Sequence, residues 1–259
     1  MTAQDIALFD RVADDYDRVL PFFTGFARGT VDALPLTPRQ RVLDLGAGHG
    51  ALTTQALYRG CRVTAVDSAP AMLERLRAEH ADHEGFEGAH VMDAHRLDLP
   101  DASFEAVLSG FVLHLVDEPG RALTEIGRVL APGGLLALTV PGAAPGEQDR
   151  PTDLLDELFE EYRAHLLPGG GMGGSLTPQD DLHGTGFSDV RARTVSVELP
   201  VPDGEALWRW TLTHGSRAFL EALPEPHREE FRARLVAGFD AAPFPLYRTA
   251  ALWTCRFGR

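Results

Sequence analysis

The chain has 259 residues, 44% of them hydrophobic, and carries 38 acidic side chains against 24 basic ones for a formal charge of −14. That length and apolar content suit one α/β domain with insertions, while so acidic a balance opposes phosphate backbones and removes nucleic acid from the expected partners. All the bases are arginine, so the absence of lysine excludes Schiff-base and pyridoxal phosphate chemistry and the Walker phosphate loop.

No run of 18 apolar residues and no basic-then-apolar leader occurs, so neither a membrane span nor secretion is expected and the chain reads as cytoplasmic. Cys61 and Cys255 stand far apart, which offers neither a zinc spacing nor a disulfide framework; they are expected to be reduced and packed.

Residues 1–35 carry Ile6, Phe9, Val12, Ala13 and Tyr16 at near-helical spacing, then Phe22, Phe23 and Phe26, before the turn signal Leu34-Pro35-Leu36-Thr37-Pro38. Helices packed ahead of a first strand are expected. Val42-Leu43-Asp44-Leu45 then runs into Gly46-Ala47-Gly48-His49-Gly50, and helix-compatible residues follow from Ala51 to Tyr58. Glycines at a strand-to-helix turn free the backbone for positive φ and let a ligand approach main-chain N–H groups. The dinucleotide fingerprint is G-x-G-x-x-G, whereas this turn is G-x-G-x-G with a carboxylate two residues ahead of it. Such a carboxylate would repel a pyrophosphate and suits a ligand bearing an ammonium or sulfonium group.

Arg62 to Asp67 reads as a second buried strand ending in an acid, with Ser68 as N-cap and Pro70 in the first turn of a helix to His80. An acid at that strand tip is placed to accept from ribose hydroxyls. The run Glu79-His80-Ala81-Asp82-His83-Glu84 has metal donors but implies no third partner and enters a Gly85/Gly88 loop, so no metal is expected. Ala89 to Ala94 reads as a third strand, with His95 in the following turn, and Phe104 to Phe111 as a fourth. An amphipathic helix from Glu118 to Leu130 is closed by Ala131-Pro132-Gly133-Gly134, and Leu135 to Val140 is a fifth strand.

Beyond Pro141 the chain turns rich in glycine and proline, with an acidic helix over Thr152 to Leu167 and the run Gly169-Gly170-Gly171-Met172-Gly173-Gly174, which suits either a lid or a surface loop. Thr177 to Leu182 opens a short helix, and Val190 to Leu199 and Arg248 to Phe257 alternate as sixth and seventh strands. Between them Asp203 to Gly238 reads as a helical pair with Leu207, Trp210 and His214 on one stripe and Trp208, Leu212 and Phe219 on another. One stripe packs on the body; the other either does the same or gives an acceptor pocket its aromatic wall, with His214 as the polar group.

Asp44-Leu45-Gly46-Ala47-Gly48-His49-Gly50 resembles the first motif, D-x-G-x-G-x-G, of the class I S-adenosylmethionine-dependent methyltransferases. The resemblance extends over about residues 9 to 140, through the "YD" segment ending at Tyr16-Asp17, the Asp93-Ala94 tip, the "L-H-H-L"-like Leu113-His114-Leu115 turn and the Pro132-Gly133-Gly134 turn. It departs at Glu105, where aspartate is usual, and at Leu113, which stands for a histidine. It implies a Rossmann-like, seven-stranded, mostly parallel sheet with an antiparallel last hairpin, helices on both faces, and a helical cap from residues 1–35, 142–178 and 203–238 within one domain spanning 1–259.

It further implies that S-adenosylmethionine is held by Tyr16, Asp44, Gly46, Ala47 and Gly48, by Asp67, Ser68 and Met72, by Asp93 and Ala94 at the adenine, and by Ser109, Gly110 and Phe111 at the reacting end. His114 and His214 are then the candidate bases towards a small-molecule acceptor, methylated at O, N or C. A cyclase using the same cofactor, a nicotinamide oxidoreductase and a non-catalytic binding module remain as alternatives. Oligomeric state is not readable from the sequence.

Overall fold

The computed structural model describes residues 3–13, 15–166 and 176–258. Helices α1 (Ala3–Val12) and α2 (Phe22–Asp32) precede a regular alternation of β1 (Arg41–Leu45), α3 (Ala51–Tyr58), β2 (Arg62–Asp67), α4 (Pro70–His80), β3 (Phe86–Val91), β4 (Phe104–Gly110), α5 (Pro119–Val129) and β5 (Leu130–Pro141). Then come α6 (Leu154–Tyr162), α7 (Pro178–Gly184), β6 (Phe187–Leu199), α8 (Gly204–Thr211), α9 (Ser216–Ala222), α10 (Glu225–Ala241) and β7 (Leu246–Phe257). The strands form one sheet in the order β3-β2-β1-β4-β5-β7-β6, with β7 antiparallel to both neighbours and the remaining pairs parallel.

Continuous apolar runs rather than alternating ones are what a sheet covered on both faces requires. Val42 and Ala106 turn to the face covered by Ala27 and Val31 of α2 and Ala56 and Leu57 of α3. Leu43, Leu45 and Val107 turn the other way, onto Leu123 and Ile126 of α5. β1 lies at the switch point between β2 and β4, in register Val42↔Val63 and Val42↔Ala106, so chain order reverses where the glycine turn emerges. No helix among the described residues is long and apolar enough to cross a membrane.

Several boundaries differ from the expected ones, each for a local reason. Ser68 does not cap α4, whose N-cap is Ala69 with no side-chain bond of its own. Asp10 of α1 instead accepts from Ala71 N at 3.0 Å, while Asp67 accepts from Ala69 N at 2.8 Å, so acids elsewhere in the chain satisfy the orphan donors. β3 starts at Phe86 and takes Gly88 into the strand at φ 131°, where its register against β2 shifts; it ends at Val91, and Met92 to Ala94 lie past its tip. The Ala131–Gly134 turn is absorbed into β5 as a bulge, since Leu130 pairs with Phe104 and Leu135 with Ala106.

The acidic helix is shorter than its sequence run because Asp153, not Thr152, caps it through a reciprocal pair with Asp156, and at Tyr162 it tightens into a short 3₁₀ turn over Arg163–His165. The Gly169–Gly174 run lies outside the described residues. The expected helical pair after β6 is three helices. Thr211 and Thr213 hydroxyls bond back to the Trp208 and Trp210 carbonyls, and Ser216 to the Thr211 carbonyl, at 2.6–2.8 Å, which closes α8 before His214. Pro224, at φ −53° and ψ 142°, then separates α9 from α10. α6, α8 and α10 bury Leu158, Trp210, Phe231 and Phe239 with Phe26 of α2 in a further core over the β6–β7 end of the sheet, where Val197 and Ala250 join it.

Candidate functional site

At the end of β1 the chain takes three left-handed glycines, Gly46 at φ 72°, Gly48 at 55° and Gly50 at 94°, before α3 begins. A Cβ on Gly46 would run into the Val112 side chain, so close approach as well as the backbone angle demands glycine there. Gly46 and Ala47 donate to the Val66 carbonyl at 2.8 and 3.0 Å, and Gly48 N donates to Asp67 Oδ2 at 2.8 Å. The β2-tip acid thus holds the glycine turn with one oxygen and the start of α4 with the other. Burial raises the Asp67 carboxyl above its usual range, against those backbone bonds.

The turn borders two adjoining cavities. The larger, about 840 Å³ and open to solvent, is lined by Asp67, Ser68 and Met72 after β2, by Asp93, Ala94 and His95 after β3, and by Ile6 and Phe9 of α1. The smaller, about 440 Å³, lies between β1 and the α2–α3 pair and is lined by Asp44, Ala47, His49, Phe23, Phe26 and Thr139 among others. Tyr16, Gly46, Gly48, Gly110 and Phe111 line both, so the chambers meet over the ends of β1 and β4.

Electrostatically the two differ. In the larger, His95 bonds to Asp93 Oδ1 through its backbone N at 3.0 Å and its Nδ1 at 2.7 Å. Burial pushes the Asp93 carboxyl up, but these bonds outweigh it and hold the group below its ordinary value. In the smaller, burial pushes Asp44 up to about 7, although its Oδ2 accepts from Thr53 N at 2.9 Å and Thr53 Oγ1 at 2.7 Å. Its Oδ1 is buried without a partner, as is His49 Nε2. Tyr16 stacks on Phe23 at 4.5 Å and meets His49 edge-on at 5.0 Å, and burial raises its phenol well above the usual value.

Phe111 sits at φ 57°, a strained angle for an aromatic residue, held by its N–H bonding to Thr139 O at 3.1 Å and Thr139 Oγ1 at 3.2 Å. Its ring packs on Phe26 at 5.1 Å, Phe23 at 5.8 Å and Phe22 at 6.1 Å. His214 lies behind this cluster, 4.3 Å from Trp210 and 6.0 Å from Phe22, with Nε2 3.1 Å from Ser216 Oγ and Nδ1 buried and unpartnered. The stripe Leu207-Trp210-His214 is therefore broken: Leu207 and Trp210 are buried in the cap core, and His214 stands beyond the end of α8.

The turn after β4 gives the larger cavity Val112, Leu115 and Val116; His114, between them, is not among the described residues lining either chamber, and its Nδ1 is buried without a partner. Burial pushes both His114 and His214 down to about 4. Ser109 is likewise buried behind the strand end, with its hydroxyl unpartnered. The other residues expected at the cofactor line one or both chambers. The sequence reading passed over His49, whose signal was its place between two glycines of the turn, and the α1 wall of Ile6 and Phe9, whose helical periodicity carries no such signal.

The family described as "Methyltransferase domain" matches residues 43–138, the segment from β1 to β5 that carries most of the residues lining this site. Nocamycin O-methyltransferase of Saccharothrix syringae is 29% identical over 252 residues, covering 90% of each chain. Demethylmenaquinone methyltransferase of Tropheryma whipplei is 32% identical over 172 residues, 64% of this chain and 68% of that protein. Among solved structures, the YcgJ protein of Bacillus subtilis superposes with a TM-score of 0.59 at 18% identity, over 90% of this chain and 99% of that one, which shows a shared fold.

Proposed function

Since this chain belongs to the class I S-adenosylmethionine-dependent methyltransferases, we propose that it moves the methyl group to an O, N or C atom of a small, largely apolar acceptor. The residues fit the cofactor on two counts: the Gly46 cradle admits no Cβ, and two buried polar atoms in the adjoining chamber lack partners. When bound, S-adenosylmethionine supplies a sulfonium methyl open to in-line attack. Asp67 offers its carboxylate at the ribose, Asp93 and the Ala94 backbone at the adenine, and Met72 an apolar side against the base. Asp44 lends negative potential near the ammonium, and Tyr16, Gly110 and Phe111 border the reacting end.

The observation that carries the acceptor class is the lining. Among the described residues, no arginine lines either chamber, and the junction is walled by Tyr16, Phe23, Phe26 and Phe111. Such a wall favours rings and aliphatic groups over phosphates. Holding acceptor and methyl donor in line contributes about 7–11 kcal/mol, so no nucleophilic side chain is needed. His214 and His114, both neutral near pH 7, line neither chamber among the described residues, so either would act as a base only towards an acceptor that reaches past the chamber wall.

The test incubates the protein with methyl-labelled S-adenosylmethionine and a panel of phenols, carboxylic acids, enols and amines of apolar character. Label appearing in an acceptor together with stoichiometric S-adenosylhomocysteine is the expected result. Conversion of a substrate with the cofactor's methyl retained would sink the transfer reading, and methylation confined to phosphate-bearing acceptors would sink the acceptor class.

A further inference from the structure

The smaller chamber holds two chemically opposite vacant groups. Asp44 Oδ1 is an acceptor and His49 Nε2 a ring nitrogen, both buried and unpartnered, and both residues line the same 440 Å³. His49 is only 8% exposed and sits next to Gly50, the N-cap of α3. That helix opens at Gly50, which has no side chain with which to cap it, and Ala51 and Leu52 of its first turn line the chamber too. The positive end of the helix dipole and an unpartnered imidazole therefore converge. Opposite them, Asp44 favours a cation. A pocket with one acidic and one anion-seeking side matches the zwitterion of an α-amino acid, which is the chemistry of the methionine end of the cofactor.

We propose that His49 is a recognition residue for the α-carboxylate of S-adenosylmethionine and takes up a proton as that carboxylate seats. This rests on the cofactor reading above. In the free protein the ring has little reason to be charged: burial holds it below the ordinary histidine value, and Arg75 on α4 opposes a proton. Asp17, in the turn after α1, and Glu79 on α4 work the other way, and Tyr16 presents only its ring edge. Asp17 is engaged by Phe23 N at 2.7 Å and Thr24 N at 2.8 Å, where it caps α2. A carboxylate brought into the chamber adds a negative charge that desolvation cannot cancel, so the imidazole gains a reason to protonate and to donate. Because the proton comes with the amino-acid tail, His49 would select ligands that carry this tail over nucleosides that lack it.

Titration calorimetry in buffers of different ionisation enthalpy tests this at pH 7 with two ligands: S-adenosylhomocysteine, which keeps the carboxylate, and 5′-methylthioadenosine, which has no amino-acid tail. Comparison with His49→Gln isolates the histidine's proton from any that Asp44 releases as an ammonium arrives. The expected result is that wild type takes up more protons than His49→Gln with S-adenosylhomocysteine and no more with methylthioadenosine. The variant should bind the first about 10–150-fold more weakly and the second unchanged. Unchanged methylthioadenosine binding also shows that the variant is folded. Equal proton uptake in the two proteins, or equal loss of both ligands, overturns the proposal and reduces His49 to a loop-shaping residue. Wild type that binds neither ligand overturns the cofactor reading and this proposal with it, whereas binding of both without extra proton uptake overturns this proposal alone.

Discussion

The sheet tips and the helical cap meet at Phe111, yet they are built by opposite means. On the sheet side the site is made of backbone and short acids: three left-handed glycines, amides of Gly46, Ala47 and Gly48 tied to Val66 and Asp67, and Asp93 set by His95. On the cap side it is walled by the rings of Phe23 and Phe26, backed by Phe22, Trp210 and one buried histidine. Backbone geometry fixes a ligand of invariant shape, whereas packed side chains can be exchanged without rebuilding the chain around them. On the proposed function, the constant part of the reaction, the cofactor, falls to the sheet and the variable part, the acceptor, to the cap.

The largest expected effect lies on the cap. If His214 takes a proton from the acceptor, His214→Gln lowers kcat by about 10²–10⁴-fold and leaves cofactor affinity alone, because help of that kind exists only in the transition state. Steady-state kinetics beside cofactor titration checks this, and His114→Gln is the paired control. A slow His114 variant with a normal His214 variant would move the base from the cap to the β4 turn. Full activity in both would leave catalysis to proximity.

A smaller effect is expected on the sheet. Asp67→Ala weakens S-adenosylmethionine binding by about 1–3 kcal/mol, through loss of the charged acceptor for the ribose and of the carboxylate that holds Gly48 N. Calorimetry on the folded variant would remove the ribose role if affinity stayed at the wild-type value. A mutant on the sheet that altered kcat alone, or a cap mutant that altered only cofactor binding, would break the division between the two regions.

The smallest effect concerns pH. Asp44 has a folded-state value of about 7, raised by burial from the ordinary carboxylate range. A raised value means that the folded protein binds the proton more tightly than the unfolded chain does, so the stability from this group is complete below pH ~4 and is lost as pH rises through about 7. The cofactor-free protein should lose stability over that interval, and Asp44→Asn should flatten the loss. Thermal melts between pH 5 and 8 decide it: equal slopes in the two proteins would place the Asp44 carboxyl elsewhere.

The contrast between the two regions also accounts for what could be read in the sequence. β1, α3 and β2 run over the expected residues because glycine spacing, apolar runs and strand-end acids are local signals. Asp10 capping α4 was hidden, because 61 residues separate it from Ala71 and only the fold brings them together. His214 was placed on a helical stripe by periodicity, but hydroxyls of Thr211, Thr213 and Ser216 stop α8 short of it. Leu207 and Trp210 carried the period correctly and still turned into the cap core rather than towards the chambers, since periodicity says which residues share a face and not what that face meets.

The placing of β7 between β5 and β6 has a consequence for how the chain acquires its shape. β5 ends at Pro141, and the strand that pairs with it does not begin until Leu246. During synthesis the β5 edge is thus exposed while α6, α7, β6 and three cap helices are made, and β6, whose strand partner is β7, waits as well. An unpaired edge is a template for the wrong partner, and pairing across so long a separation is slow to close. The strands around the glycine turn find their partners within the first 141 residues, whereas the sheet edge under the cap is completed only when β7 emerges.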